Sequence, residues 1–325
     1  MTTGRGVAVG VEIGGSKTTV ALIDSHGRVQ QRRLAKTLRG RPAPATLDPY
    51  MRAIDSILAD ARVQGLPVCG IGVSIPGSVD YTSRRPLLVP TLPSLNKFPL
   101  GSLLETRYGL PSRLHVDVNA ALAGEHRFGA GRHFRRLLFL TVNAVVGAAF
   151  IVDGELERRA QPYIGHVCHL TVAASGPRCS CGKRGCINTL ISVDAVQRMV
   201  QRALRRGDES SLTRRLLNGE YFSLQLLAEE ARRGDSVALQ IYDDVGRWLG
   251  AAVAKYVELF DPNILILGGG VLCASDLLIQ RVQSVLNNHF SSSSSSSSRV
   301  CSMVEVVPAA LGSDAVLIGS VVPFF

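Results

Sequence analysis

Apolar and polar positions along this chain fall into two successive series of short strands and amphipathic helices, and both series open in the same way. Residues 7–13, 18–24 and 28–34 are short apolar or alternating segments separated by turns at Gly14-Gly15 and Ser25-His26-Gly27, which predicts three strands. A helix is expected over 46–64, where Tyr50, Ile54, Ile57, Leu58 and Ala61 recur at helical spacing. The apolar run 68–77 predicts a buried strand ending at Pro76-Gly77. A short helix over 100–108, a strand over 113–117 and a helix over 119–128 follow.

The second series starts with strands at 137–142 and 146–152, the latter closed by an Asp153-Gly154 hairpin turn before Glu155. Helices are expected at 192–206, 223–233 and 235–260, then a strand over 264–269 running into Gly268-Gly269-Gly270, and a helix over 275–288. The serine run 291–298 is a low-complexity loop, and a strand over 300–307 and a helix over 312–322 close the chain. Two αβ halves, each opening on a glycine-turned meander, predict a duplicated α/β fold with a cleft between two lobes. We place the first lobe at 1–118 plus 312–325 and the second at 119–311.

Composition narrows this picture. At 325 residues with 46% hydrophobic content, the chain can fill two cores. Its apolar runs are too short to span a bilayer. The opening MTTGRGVAVGVEIGG has no long apolar stretch, so no signal peptide is expected. Seven cysteines, odd in number and clustered, predict a reducing, cytoplasmic setting. The net charge of +10 raises a nucleic-acid partner, yet the arginines are scattered in pairs such as Arg32-Arg33 and Arg205-Arg206, and no helix-turn-helix precedes the first strand. A basic, solvated surface is the better reading, with nucleic acid set aside.

Candidate chemistry begins with Cys179, Cys181 and Cys186, three thiols within eight residues on a loop bent by Gly182 and Gly185. Thiolates on such a loop suit a tetrahedral metal. The fourth ligand comes from His166, Cys168 or His169; we choose His169, because the turn at Ser175-Gly176-Pro177 can return it to the loop. A closed Cys3His set holds zinc for structure rather than for hydrolysis. A disulfide or ordinary buried thiols are the competing readings. Gly14, Gly15, Ser16 and Lys17 form a tight turn whose amides, hydroxyl and charge could meet a phosphate, although Gly-Gly turns are common. Asp117, between a strand and a helix, fits a general base and an N-cap equally well. Gly268-Gly269-Gly270 after a buried strand fits either a nucleotide turn or a plain strand-to-helix turn.

Together these motifs resemble the ROK family of sugar kinases and sugar-responsive repressors, on the actin/hexokinase-like ATPase fold with ribonuclease H-like lobes. The resemblance runs through GVEIGGSKTTVALID, GIGVSIPGSVD at 70–80, VDVNAALAGEHRFGAG at 116–131, the His169 to Cys186 motif, NILILGGGV at 263–271 and ALGSDAVLIGS. It implies that Asp117 is the catalytic base toward a sugar hydroxyl attacking MgATP. It implies that His169, Cys179, Cys181 and Cys186 bind structural zinc. Gly14, Gly15, Ser16, Lys17, Gly147, Gly268, Gly269 and Gly270 would line the ATP site; Gly77, Asp117, His166, His169 and Asn188 would line the sugar site. Glucose, N-acetylglucosamine and N-acetylmannosamine kinases look nearest, and a homodimer is implied by analogy.

The chain departs from the family pattern at five places. Glu12 replaces an aspartate, Asn143-Ala144-Val145 replaces a Gly-Thr-Gly turn, and Val116 replaces the asparagine before the base. His166 and Asn188 replace two glutamates, each change removing a charge-assisted hydrogen bond. His166 can substitute as a sugar ligand or simply fill space. Two functions follow: an ATP-dependent kinase of a hexose or N-acylhexosamine with altered or reduced activity, or a non-catalytic sugar sensor. A repressor would need a DNA-binding domain, which the few residues before Val7 do not supply.

Overall fold

Alternation of side chains sets the edge and the centre of the first sheet. In a computed structural model, which describes residues 6–157, 167–291 and 304–325, β1 (Val7–Ile13), β2 (Lys17–Asp24) and β3 (Val29–Lys36) form an antiparallel meander. β3 alternates half-buried and exposed along its whole length, as an edge strand with one wet face must. β1 is buried on both faces, which needs cover from helices. Helix α1 (Ala43–Val63) and β4 (Val68–Ile75) follow; β5 (Ser78–Asp80) and β6 (Arg85–Leu88) pair only with each other. Then come α2 (Leu100–Tyr108), β7 (Ser112–Val116) and α3 (Asp117–Phe128). The sheet order is β3-β2-β1-β4-β7, with β4 parallel to β1 and β7 parallel to β4.

The second sheet repeats this plan. β8 (Leu137–Val142) and β9 (Val146–Val152) are antiparallel, and β10 (Glu155–Leu156) completes the meander. The β9–β10 turn is Asp153-Gly154 with φ of 53° and 91°, the left-handed pair a two-residue hairpin requires. Helices α4 (Asn188–Ile191), α5 (Val193–Arg206), α6 (Ser211–Leu217), α7 (Leu224–Arg232) and α8 (Ser236–Phe260) follow. Four of them start where a side chain can take an orphan amide: Ser192, Ser210, Ser223 and Asp235 accept from Ala195, Thr213, Leu226 and Ala238. β11 (Ile264–Gly268), α9 (Ser275–Ser291) and β12 (Glu305–Pro308) give the order β10-β9-β8-β11-β12, with β11 parallel to both β8 and β12. The last helix, α10 (Ala315–Val321), packs on α3 and on the back of β1 and β4.

The chain thus forms two compact units. Among the described residues, the first runs to His133 and takes up 156–157 and Ala310 to Phe325; the second holds Phe134 to Glu155 and 167–309. The division read from the sequence after residue 118 falls inside α3, whose contacts with β4, β7 and α10 lie in the first unit. A buried carboxylate fastens this unit at its ends. Glu125, fully buried near the end of α3, accepts from the amides of Ala130 at 2.9 Å, Ala310 at 3.1 Å and Leu311 at 2.8 Å.

Several expected elements shift. The strand over 68–77 stops at Ile75, since Pro76 has no amide to continue the ladder. The strand over 113–117 ends at Val116, and the closing helix is split into short 3-10 turns around α10. β5, β6, α4 and α6 were not anticipated. Residues 292–298 of the serine run and 300–303 of the final strand lie outside the described residues, as does His166.

Candidate functional site

β1, β4 and β7 run parallel, so their C-terminal ends share one edge of the first sheet, the edge where ligands of open α/β sheets bind. That edge carries Glu12 near the end of β1 and Asp117 immediately after β7. Asp117 is the first helical residue of α3. The N-cap is Val116, which offers no side-chain cap, so the N-cap reading of Asp117 is set aside. Its Oδ1 instead accepts from the Val118 amide at 2.7 Å. Burial pushes the Asp117 carboxyl up to about 6, against the pull of its backbone hydrogen bonds. Burial also raises Glu12, and the Asp117 charge raises it further while Lys17 opposes. Glu12 is thus a carboxylate whose charged form is disfavoured by burial and by Asp117 and favoured by Lys17.

The turn between β1 and β2 brings Gly14, Gly15, Ser16 and Lys17 to this same edge. Gly14 N donates to Lys17 O at 3.0 Å, closing the turn, and Thr37 Oγ1 donates to Gly14 O at 2.9 Å. Arg39 Nε donates to Gly15 O. Ser16 and Lys17 are exposed. Gly77 sits exposed in the bend between β4 and β5 with φ of 116°.

In the second unit the equivalent turn, between β8 and β9, is Asn143-Ala144-Val145, all three exposed. Gly147 follows within β9, paired with Thr141. Gly268 ends β11, and Gly269 has φ of 103°; a Cβ there would lie 2.5 Å from the Val142 carbonyl oxygen, so only glycine fits. Gly270 N donates to Asn143 Oδ1 at 2.7 Å, a contact that residue patterns did not reveal. Asn188 opens α4, and its Oδ1 accepts from Val146 N at 2.9 Å.

The cysteine loop draws its residues together as expected. His169, Cys179, Cys181 and Cys186 place one ligating atom each within 4.8 Å of one another. Cys179 Sγ lies 3.4 Å from His169 Nδ1, and Cys181 Sγ lies 3.6 Å from Cys186 Sγ. A disulfide would hold its sulfurs at about 2 Å, so that reading fails, and these cysteines are free. Tetrahedral ligands with sulfur about 2.3 Å from a metal stand roughly 3.7 Å apart, close to the spacing found. Cys168 is buried and stands outside the group. Backbone bonds shape the loop: Cys179 N donates to Lys183 O, Gly182 N to Cys179 O and Ile187 N to Leu170 O.

Among the described residues no helix is long and apolar enough to cross a membrane. The glucokinase of Thermotoga maritima is 29% identical over 314 residues, covering 96% of this chain and 95% of its own. The DNA-binding transcriptional repressor Mlc of Escherichia coli is 28% identical over 279 residues, covering 84% of this chain and 68% of its own. The crystal structure of a ROK family glucokinase from Streptomyces griseus, in complex with glucose and AMPPNP, is 29% identical with a TM-score of 0.78 and 97% of each chain covered. The fold is therefore the duplicated α/β, actin/hexokinase-like one. The model of the ROK family matches residues 8–323, across both sheets, the cysteine loop and the glycine turns, and the chain belongs to that family.

Proposed function

We propose that the protein is an ATP-dependent sugar kinase of the ROK family acting on a hexose or N-acylhexosamine, with Asp117 as the base. The observation that carries this reading is the Asp117 carboxyl itself. It sits at the ligand edge of its sheet and is raised to about 6, so that it is ionised yet basic at neutral pH. A sugar hydroxyl oxygen forms the new bond to the γ-phosphorus as its proton passes to Asp117, and the bond from that phosphorus to the β–γ bridging oxygen breaks to release ADP. The reading assigns Gly14, Gly15, Ser16, Lys17, Gly147 and Gly268 to Gly270 to MgATP, and Gly77, Asp117, His169 and Asn188 to the sugar. His166 belongs to the same proposal. The donor set and spacing of His169, Cys179, Cys181 and Cys186 fit zinc, which would serve as a structural clamp with all four positions filled by the chain.

A second reading, a sugar sensor without turnover, is favoured by the exposed Val145 and by the Asn143 bond to Gly270, and the match to a repressor is consistent with it. ADP release with MgATP and glucose, N-acetylglucosamine or N-acetylmannosamine separates the two. Sugar-dependent release that Asp117→Asn abolishes supports the kinase. A sugar-induced thermal shift with no release under any condition supports the sensor; ligand at about 100 Kd adds roughly 2.7 kcal/mol, enough to see.

A further inference from the structure

Asn143 has a side chain that its own backbone does not need. Its backbone is already held on both sides: its amide donates to Val145 O at 3.4 Å and its carbonyl accepts from Val193 N at 3.0 Å. The carboxamide nevertheless reaches across 127 positions of sequence to Gly270, whose amide donates to Oδ1 at 2.7 Å, while Nδ2 donates to Thr141 Oγ1 at 3.0 Å. Asn143 is exposed and Gly270 half-exposed, so water could satisfy the Gly270 amide without help. Gly269 has a φ of 103°, and a Cβ there would meet the Val142 backbone, so this is a turn only glycine can make. The Asn143 side chain, exposed and held by two neutral hydrogen bonds, is the partner a ligand can displace.

We infer that Asn143 is an internal stand-in for a phosphate oxygen, occupying the Gly270 amide and holding polyphosphate affinity down until it is displaced. The inference rests on the proposed role of the Gly268 to Gly270 turn in nucleotide binding and adds the residue that sets its strength. A carboxamide oxygen offers an amide the same acceptor geometry as a phosphate oxygen but no charge. An incoming polyphosphate therefore gains a charge-assisted bond only after breaking a neutral one. Asn143 thereby acts as a specificity residue that weakens nucleotide binding.

Calorimetric titration of Mg-AMPPNP into the full chain and its Asn143→Ala and Asn143→Asp variants tests this. Alanine leaves the backbone bonds of residue 143 intact and frees the Gly270 amide, so AMPPNP should bind roughly tenfold tighter than to the parent. Aspartate keeps the acceptor and adds a negative charge, so binding should be weaker than in the parent. Both variants should keep the parent's melting temperature to within a few degrees and its glucose affinity to within about twofold. AMPPNP binding by a folded Asn143→Ala protein that is equal to or weaker than the parent's, or undetectable in both, overturns the inference. Hexose-dependent ADP release on the same samples keeps the two ideas apart. Tighter AMPPNP binding with no turnover in any protein leaves the Asn143 role standing and removes phosphoryl transfer. Turnover by the parent with unchanged affinity in the alanine variant does the reverse.

Discussion

The turn between β1 and β2 and the turn between β8 and β9 occupy the same place in two sheets of identical strand order, yet side chains engage them in opposite ways. In the first unit the bonds from Thr37 and Arg39 go to carbonyl oxygens of Gly14 and Gly15, which steadies the loop through its acceptors and leaves Ser16 and Lys17 exposed. In the second unit a side chain of the turn goes to a donor, the Gly270 amide. Anion sites are made of donors. Duplicated topology therefore supplies two possible phosphate loops, and the choice of which backbone group is satisfied internally decides how receptive each one is.

The comparison breaks most visibly at Asp117. If the first unit carries the chemistry, Asp117→Asn should lower hexose-dependent ADP release by about 10²- to 10⁴-fold, the range for losing a general base. The parent's kcat/KM should rise with pH through about 6 as the carboxyl ionises. Stability should move the other way. A carboxyl raised from 3.8 to about 6 on folding binds its proton more tightly in the folded chain. Its ionisation therefore reduces stability between those values, and the full penalty stands above 6. The asparagine variant should be more stable than the parent by up to about 3 kcal/mol at pH 7, with the gap closing toward pH 4, read from urea denaturation at both pH values.

If the cysteine loop holds zinc as proposed, the second unit should depend on it as the first does not. Metal analysis should find one zinc per chain, and Cys181→Ser should lose most of it and about 3 kcal/mol of stability. Hydrogen exchange should quicken over 169–187 and leave β1 to β4 unchanged. A parent with no bound metal and an unchanged melting temperature after chelation would remove the clamp. Glu125→Ala tests the first unit's frame in turn. Three backbone amides lose their acceptor, one of them on exposed Ala310 where water can replace it, so about 2–3 kcal/mol should disappear in denaturation.

Much of this contrast was legible in the residues and some of it was not. Both meanders, the long α8 and the cysteine cluster announce themselves through local periodicity, turn chemistry and spacing, each encoded within some twenty residues. β5 and β6 escape because they are three and four residues long and Pro86 interrupts the second. α6 is a single short helix, though its Ser210 and Thr213 capping box was a usable signal. That Glu12 and Asp117 share one sheet edge becomes visible only once β1, β4 and β7 are known to run parallel. The Asn143 bond to Gly270 joins residues 127 positions apart. No periodicity encodes such a contact, because it depends on where β8 and β11 place two turns and not on either turn alone.

The smallest effect is expected at Asn188, and it separates a carboxamide that supports the fold from one that blocks a ligand. Asn188 Oδ1 takes the Val146 amide much as Asn143 takes that of Gly270, at 2.9 Å against 2.7 Å. The donors differ in where they lie: Val146 is 3% exposed, whereas Gly270 is half-exposed. A buried amide that loses its partner has no water to turn to, so Asn188→Ala should lose about 1–2 kcal/mol in denaturation. The same burial keeps any phosphate from reaching that amide, so AMPPNP affinity should stay within about twofold of the parent's. Asn143→Ala should show the opposite pair of results, little stability lost and affinity gained. If Asn188→Ala instead tightened AMPPNP as much as Asn143→Ala does, the exposure of the amide would not be what governs the second turn, and loosening of the whole β8–β9 turn would be the better explanation for both.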